Sequence, residues 1–309
     1  MNHFSVLLDE TIKMLNIKGD GIYLDLTLGR AGHASAILKR LTTGKLIGFD
    51  LDIIAIKESD EKLKKISNRY QLVHDNFKNF DKILKQQGID KVDGILLDLG
   101  VSSPQFDDAS RGFSYRNEAM LDMRMNQEQK LTARYIVNHY SLDELTNIFR
   151  NYGEEKDAYR IAKNIVSYRQ DEEIITTSDL VSIIKKSKNQ YELSKKGHPA
   201  KQVFQALRIA VNDELNNLQE VIKKALNYLN DDGRLLIISF HSLEDRIVKN
   251  EFNKVCKEIG NRIDDYCLPT KINKHFSLIN KKVILPTTKE IELNHRAKSA
   301  KLRGLRYNK

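Results

Sequence analysis

The chain predicts an α/β fold: a parallel sheet covered by helices on both faces and interrupted by an all-helical insertion. Three observations predict it. Strand-length apolar runs alternate with helix-period segments through residues 1–100, as parallel strands buried on both faces require. That alternation stops near residue 100 and resumes only at Gly233. A crossover between parallel strands normally needs a single helix, so a stretch this long implies an inserted subdomain. The first apolar run also ends at Asp25 and opens through Gly29 and Gly32 into a helix, the way α/β proteins approach an adenosine-containing ligand.

Taken in order, residues 3–15 read as a leading helix, and residues 21–28, 45–52, 70–77 and 92–100 as four strands. Helices are expected at 53–65 and 80–87. Within the insertion, Ser141 with Glu144 and Thr176 with Asp179 have capping-box spacing, and residues 158–168, 180–186 and 203–229 have helical period. The last of these is expected to return over the sheet before a fifth strand at 233–240. A turn and helix follow at 241–249, and late strands at 281–286 and 299–307 close the sheet edge. The boundaries so drawn are 1–105, 106–205 and 206–309.

With 40% hydrophobic and 30% charged residues in 309, the composition is that of a soluble globular protein. No apolar run approaches the ~20 residues of a membrane span. The N-terminus lacks a basic region followed by an apolar one, so the expected compartment is the cytoplasm. Cys256 and Cys267 are too few for a disulfide framework or a four-ligand zinc site, and no metal is expected. Of the net charge of +9, +7 falls from Lys281 onward. That is either the footprint of a polyanion such as RNA or a solvated tail in a lysine-rich chain.

Ligands in open parallel sheets bind at the carboxyl ends of strands. Standing there are Asp25, Gly29 and Gly32, then Asp50 and Asp52, then Asp75 and Phe77, then Asp98 with Ser102, Ser103 and Pro104. An acid about 20 residues past the glycine turn suits ribose hydroxyls, and Phe77 suits the flank of an adenine. Each has a plain alternative: Asp25 as a turn cap, Asp52 as a helix start, Phe77 as core. Thr27 occupies the first glycine position of a dinucleotide loop, and no Gly-Lys-Ser/Thr follows. A phosphate-free adenosine cofactor, S-adenosylmethionine, therefore fits better.

Residues 98–105 and 239–246 are the candidate reaction loops. The exocyclic amine of a nucleobase is a poor nucleophile because its lone pair is delocalised into the ring. Acceptors for its hydrogens localise that pair and aim it, so catalysis is mostly positioning. Asp98, Ser102 and Ser103 offer such acceptors, and His241 offers a proton acceptor or an RNA contact. His241 and Ser242 read equally as a helix start whose dipole favours Glu244 and Asp245.

Seven blocks in order, residues 4–10 (FSVLLDE), 25–33 (DLTLGRAGH), 94–105 (GILLDLGVSSPQ), 111–114 (RGFS), 121–125 (LDMRM), 238–249 (ISFHSLEDRIVK) and 296–303 (RAKSAKLR), resemble the bacterial 16S ribosomal RNA cytosine-N4 methyltransferases of the MraW/RsmH type. The resemblance implies a Rossmann-like class I S-adenosylmethionine-dependent methyltransferase domain at 1–105 and 206–309, with a helical RNA-recognition subdomain at 106–205. It implies methyl transfer to the N4 amine of a decoding-centre cytidine near the P site. The partner is then 16S rRNA in the small ribosomal subunit, with a homodimer open. The cofactor contacts it implies are Ala31, Gly32, His33, Asp50, Phe77, Asp98 and Gln105. Arg111, Arg116, Arg124 and residues 195–201 are expected to grip RNA with the basic C-terminus. Two positions depart from the family pattern. Ala31 replaces a glycine, and its methyl is compatible with a cofactor contact only at negative φ. His295 replaces a proline, which affects a turn. A non-catalytic RNA-binding ribosome assembly factor that keeps the cofactor fold, and a nucleotide-cofactor oxidoreductase, stand as the alternatives.

Overall fold

Strands that are apolar at every position can be buried only if both faces of their sheet are covered. In the computed structural model, which describes residues 5–101, 103–256 and 275–309, this is what the first apolar runs do. The chain runs α1 (Leu8–Leu15), β1 (Ile22–Asp25), α2 (Gly32–Leu38), β2 (Lys45–Asp50), α3 (Ile53–Leu63), β3 (Tyr70–His74), α4 (Phe80–Gln86) and β4 (Val92–Asp98). A helical stretch follows: α5 (Ser103–Asp107), α6 (Ala133–His139), α7 (Leu142–Gly153), α8 (Ala158–Tyr168), α9 (Thr177–Lys186), α10 (Gln190–Ser194) and α11 (Lys201–Asn212). The remainder is α12 (Glu214–Ala225), β5 (Leu229–Ser239), α13 (Ser242–Cys256), β6 (Phe276–Leu278), α14 (Thr288–Leu293) and β7 (Lys301–Tyr307).

The sheet has the order β3-β2-β1-β4-β5-β7-β6. β1 to β5 are parallel, and β7 pairs antiparallel with both β5 and β6. Alternate residues of a strand serve opposite faces. Leu96, Leu236 and Ile238 join one core with Ile12, Ile37 and Leu38 from α1 and α2. Ile95, Leu97, Leu235 and Ile237 join the other with Phe80, Leu218, Ile222 and Phe252 from α4, α12 and α13. The carboxyl ends of β1, β2 and β4 therefore finish side by side at Asp25, Asp50 and Asp98.

The chain divides into two units, residues 1–100 with 215–309, and residues 101–214. The second unit has its own core, built from Ile136, Phe149, Ile161, Ile165, Leu180, Val203 and Leu207. Both capping boxes form as the spacing predicts, at Ser141 with Glu144 and at Thr176 with Asp179. The units part at 100/101 and 214/215 instead of 105/106 and 205/206, because α11 stays in the helical core as far as Val211. Residues 203–229 are correspondingly not one returning helix. Asp213 turns left-handed at φ 51 and ends α11, leaving α12 to cover the sheet. Residues 281–286 are not a strand either: Ile284 makes a single bridge to Leu302, and β6 holds the edge. Among the described residues no helix is long and apolar enough to cross a membrane.

Candidate active site

The turn after β1 is held at Gly29 from two sides, by Asp50 and Ser59. The Gly29 N–H donates to Asp50 Oδ2 at 2.8 Å, and the Asp52 N–H donates to Asp50 Oδ1 at 2.8 Å. The Ser59 hydroxyl donates to the Gly29 carbonyl at 2.9 Å. Gly29 takes φ +49, where nothing lies within 4 Å of a would-be Cβ. Ala31 takes φ +52, against the negative value its methyl leads one to expect. The reason is local. Its N–H closes a turn onto the Leu28 carbonyl at 2.8 Å, and its own carbonyl is taken by the Ser35 N–H at 3.0 Å, so the α2 entry sets its φ. Gly32 suits a close approach: a Cβ there would run into the Ser5 side chain.

His33, the next residue, is buried. Its Nε2 lies 3.0 Å from the Val6 carbonyl, which only accepts, so Nε2 carries the proton. Burial holds its pKa at about 4, so the ring is neutral at physiological pH and Nδ1 presents a lone pair. That lone pair faces Asp98 Oδ2 at 3.7 Å. The Asp98 N–H donates to Thr27 Oγ1 at 2.5 Å, a contact that ties the end of β4 to the glycine turn. In the sequence Thr27 marks only a missing glycine, and a hydroxyl at a strand end beside another strand's acid is the signal for this contact.

Desolvation, then the charges of Asp25 and Glu244, push the Asp98 carboxyl well above the usual range. Asp25 is pushed to about 7, by burial first and by Asp50 second, against the bond from the Thr27 N–H. Asp50 is pushed to about 6, mainly by burial. Asp98 Oδ1 is buried with no hydrogen-bond partner. Desolvated acids that repel one another and leave an oxygen unpaired are matched by a ligand that brings positive charge and N–H donors. S-adenosylmethionine, with a sulfonium and an ammonium, fits that description.

Other predicted residues divide. Phe77 is half-buried at the start of a short turn after β3, packed against the core that includes Phe49 and Phe80. Asp52 caps α3 through the Ile54 N–H at 2.9 Å, and Asp75 holds the next turn through the Asn76 N–H and the Asn79 amide. Asp52 takes the plain structural alternative, and Asp75 is spent on its own turn. His241 sits at the start of α13 with Nε2 3.0 Å from Glu244 Oε1, while Glu244 Oε2 accepts the Phe240 N–H at 2.7 Å. Asp25, Ala31, Gly32, His33, Asp50, Phe77, Asp98 and His241 thus belong to the sheet unit. Ser103 and Gln105 belong to α5 of the helical unit, where Gln105 is buried. Ser102 lies outside the described residues.

The expected RNA grip needs correction. Arg111 is buried and donates to the Arg124 and Met125 carbonyls, and Arg124 is bound by Asp122 and the Gln127 and Gln129 carbonyls. Both hold the loop. At the C-terminus Lys301 and Arg303 pair with Asp245, and Arg306 approaches Asp232 at 3.7 Å. Part of the +7 is therefore neutralised within the fold.

The strand order, the antiparallel β7 and the acid-ended glycine turn define a Rossmann-like class I S-adenosylmethionine-dependent methyltransferase with a helical insertion. The chain belongs to the MraW methylase family, whose pattern matches residues 1–308. It is 52% identical over 306 residues to the ribosomal RNA small subunit methyltransferase H of Clostridium botulinum (strain Loch Maree / Type A3), covering 98% of each chain. It is 51% identical over 302 residues to the protein of that name from Mesoplasma florum, covering 97% of each. Against that of Halothermothrix orenii it is 49% identical over 304 residues, covering 98% of this chain and 97% of the other. S-adenosylmethionine is the cofactor of this methylase.

Proposed function

We propose that this protein transfers a methyl group from S-adenosylmethionine to the exocyclic N4 amine of a P-site, decoding-centre cytidine in the 16S RNA of the small ribosomal subunit. One observation carries the reading. The relatives named for small-subunit ribosomal RNA methylation match 98% of this chain at 52% identity, so the sheet and the insertion are both shared with them.

S-adenosylmethionine, when bound, supplies an electrophilic methyl on a sulfonium sulfur. Gly32 and His33 hold it at the turn, whereas Ala31, at φ +52, does not meet the condition for a contact of its own. Asp50 takes the ribose hydroxyls with the lone pairs that its two backbone bonds leave free. Phe77 lines the adenine, and Asp98 and Gln105 complete the contacts. The chain's catalytic task is to orient the amine. Asp98, with Ser102 and Ser103 after it, accepts the amine hydrogens and so localises the nitrogen lone pair. His241, whose Nε2 faces Glu244 Oε1 at 3.0 Å, serves with them as a residue that positions the amine.

Purified protein, labelled donor and small ribosomal subunits lacking the modification test this directly. N4-methylated cytidine in the digested RNA is the expected product. A methyl on a ring nitrogen or ring carbon overturns the amine assignment. Binding without transfer selects the assembly-factor alternative.

A further inference from the structure

The helical unit carries a cluster of cations that hold no part of the fold together. Tyr115 and His198 stack with ring centroids 4.3 Å apart and planes 12° from parallel, and Phe204 meets Tyr115 edge-on at 5.8 Å. His198 Nδ1 accepts the Ala200 N–H at 3.3 Å, which leaves Nε2 as a donor. Burial, then the charges of Lys185 and Arg116, lower the His198 pKa. Both named neighbours are positive, so the stack sits in a positive field. Arg116, Lys185, Lys196 and Lys201 are exposed. Among the described residues none of these four forms an ion pair, unlike Arg124 or Arg208 of the same unit. Tyr191, 70% exposed beneath the Lys195 ammonium at 4.6 Å, leads into the same segment.

We infer that Arg116, Lys185, His198 and Lys201, grouped at the Tyr115–His198 stack, form a docking surface for the sugar–phosphate backbone of the RNA substrate. The inference rests on the proposed function and narrows it to a surface. Solvated cations without acid partners gain most from a polyanion, because each phosphate they neutralise releases a condensed counterion. The exposed Tyr191 ring suits single-stranded or splayed RNA, whose bases stack on such faces. An acidic protein would use the cations and leave Tyr191 without a role. The surface also replaces the Arg111 and Arg124 grip, whose guanidinium groups are spent on main-chain carbonyls.

The test is equilibrium binding to small ribosomal subunits across a salt series, using R116E, K185E and the double variant, with K64E/K85E as a charge-matched control on the sheet unit. The double variant is expected to bind at least about tenfold more weakly. Its slope of log affinity against log salt should fall by about 1.4, or roughly 0.7 per lost contact to a single strand. Donor affinity by calorimetry and the melting temperature stay at wild-type values, which shows that the variants fold. A folded, donor-binding double variant with wild-type RNA affinity and slope overturns the surface, and so does an equal loss in the control. A wild-type protein that transfers no methyl to small subunits overturns the function itself, whichever way the variants bind.

Discussion

His33 Nδ1 and Asp98 Oδ2 face each other across 3.7 Å, and burial presses both groups toward their neutral forms. His33 is fixed in this tautomer by the Val6 carbonyl, and Asp98 is drawn to the glycine turn by Thr27. The pair joins the N-terminal segment, the turn after β1 and the end of β4 at one point, where a cationic cofactor seated as proposed would change the balance of charge.

The first consequence is a pH dependence of the ligand-free protein. A carboxyl whose folded pKa is raised makes the folded state the better proton binder, so its stabilisation is lost as pH climbs. For Asp25 that window runs from about 4 to about 7, and for Asp50 from about 4 to about 6, while Asp98 acts in the same direction. His33, lowered to about 4, acts oppositely but only below about 6.5, its unfolded value. Above pH 6.5 the acids act alone, and the melting temperature should fall towards pH 8. D25N should flatten that fall. A melting temperature that rises over this interval contradicts the charge assignment.

The same groups link donor binding to protons. A cation at this site favours the ionised carboxyls, so S-adenosylmethionine should bind more tightly at pH 8 than at pH 6 and release protons as it does. Calorimetry in two buffers of different ionisation enthalpy reads the proton count. Equal apparent enthalpies at pH 6.5 would mean that no proton moves.

Ala31 predicts a gain. An alanine at φ +52 carries left-handed strain of about 1 kcal/mol, which glycine avoids at some cost in unfolded-state entropy. A31G should raise stability by up to about 1 kcal/mol and the melting temperature by about two degrees. A lower melting temperature would show that the αL conformation is not strained here.

Much of the sheet is legible in the sequence because β1, β2, β4 and β5 are apolar on both faces, a pattern that few other elements share. The edge is not. The apolar run at residues 283–285 reads as a strand, yet Leu285 is 57% exposed, and three residues of β6 do the pairing instead. The break at Asp213 carries no glycine or proline to announce it. Site residues at strand ends could be named singly, but their mutual desolvation is a property of the packed fold. His295, where the family has proline, starts a turn capped by Asn294 Oδ1 on the Arg296 N–H at 3.2 Å, a position that accepts proline, so only the turn is affected.

Glu290, which no sequence motif marks, holds the N-terminal segment in place. Its Oε1 accepts the N–H of Leu7, itself left-handed at φ 52, at 2.6 Å. E290A leaves that N–H unpaired and should cost about 1–3 kcal/mol, with E290Q recovering most of it. If both variants melt with the wild type, the contact does not hold the segment.

Asp98 separates chemistry from RNA binding. D98A should abolish methyl transfer while leaving salt-sensitive binding to small subunits largely intact. Full methylation by D98A would remove Asp98 from the reaction.

The most direct measurement is nucleoside mass spectrometry of small-subunit ribosomal RNA from cells lacking this protein, beside cells in which it is restored. The account predicts that one N4-methylated cytidine is lost and that the wild-type chain brings it back, whereas D98A does not. Undiminished N4-methylcytidine in the deletion strain would contradict it.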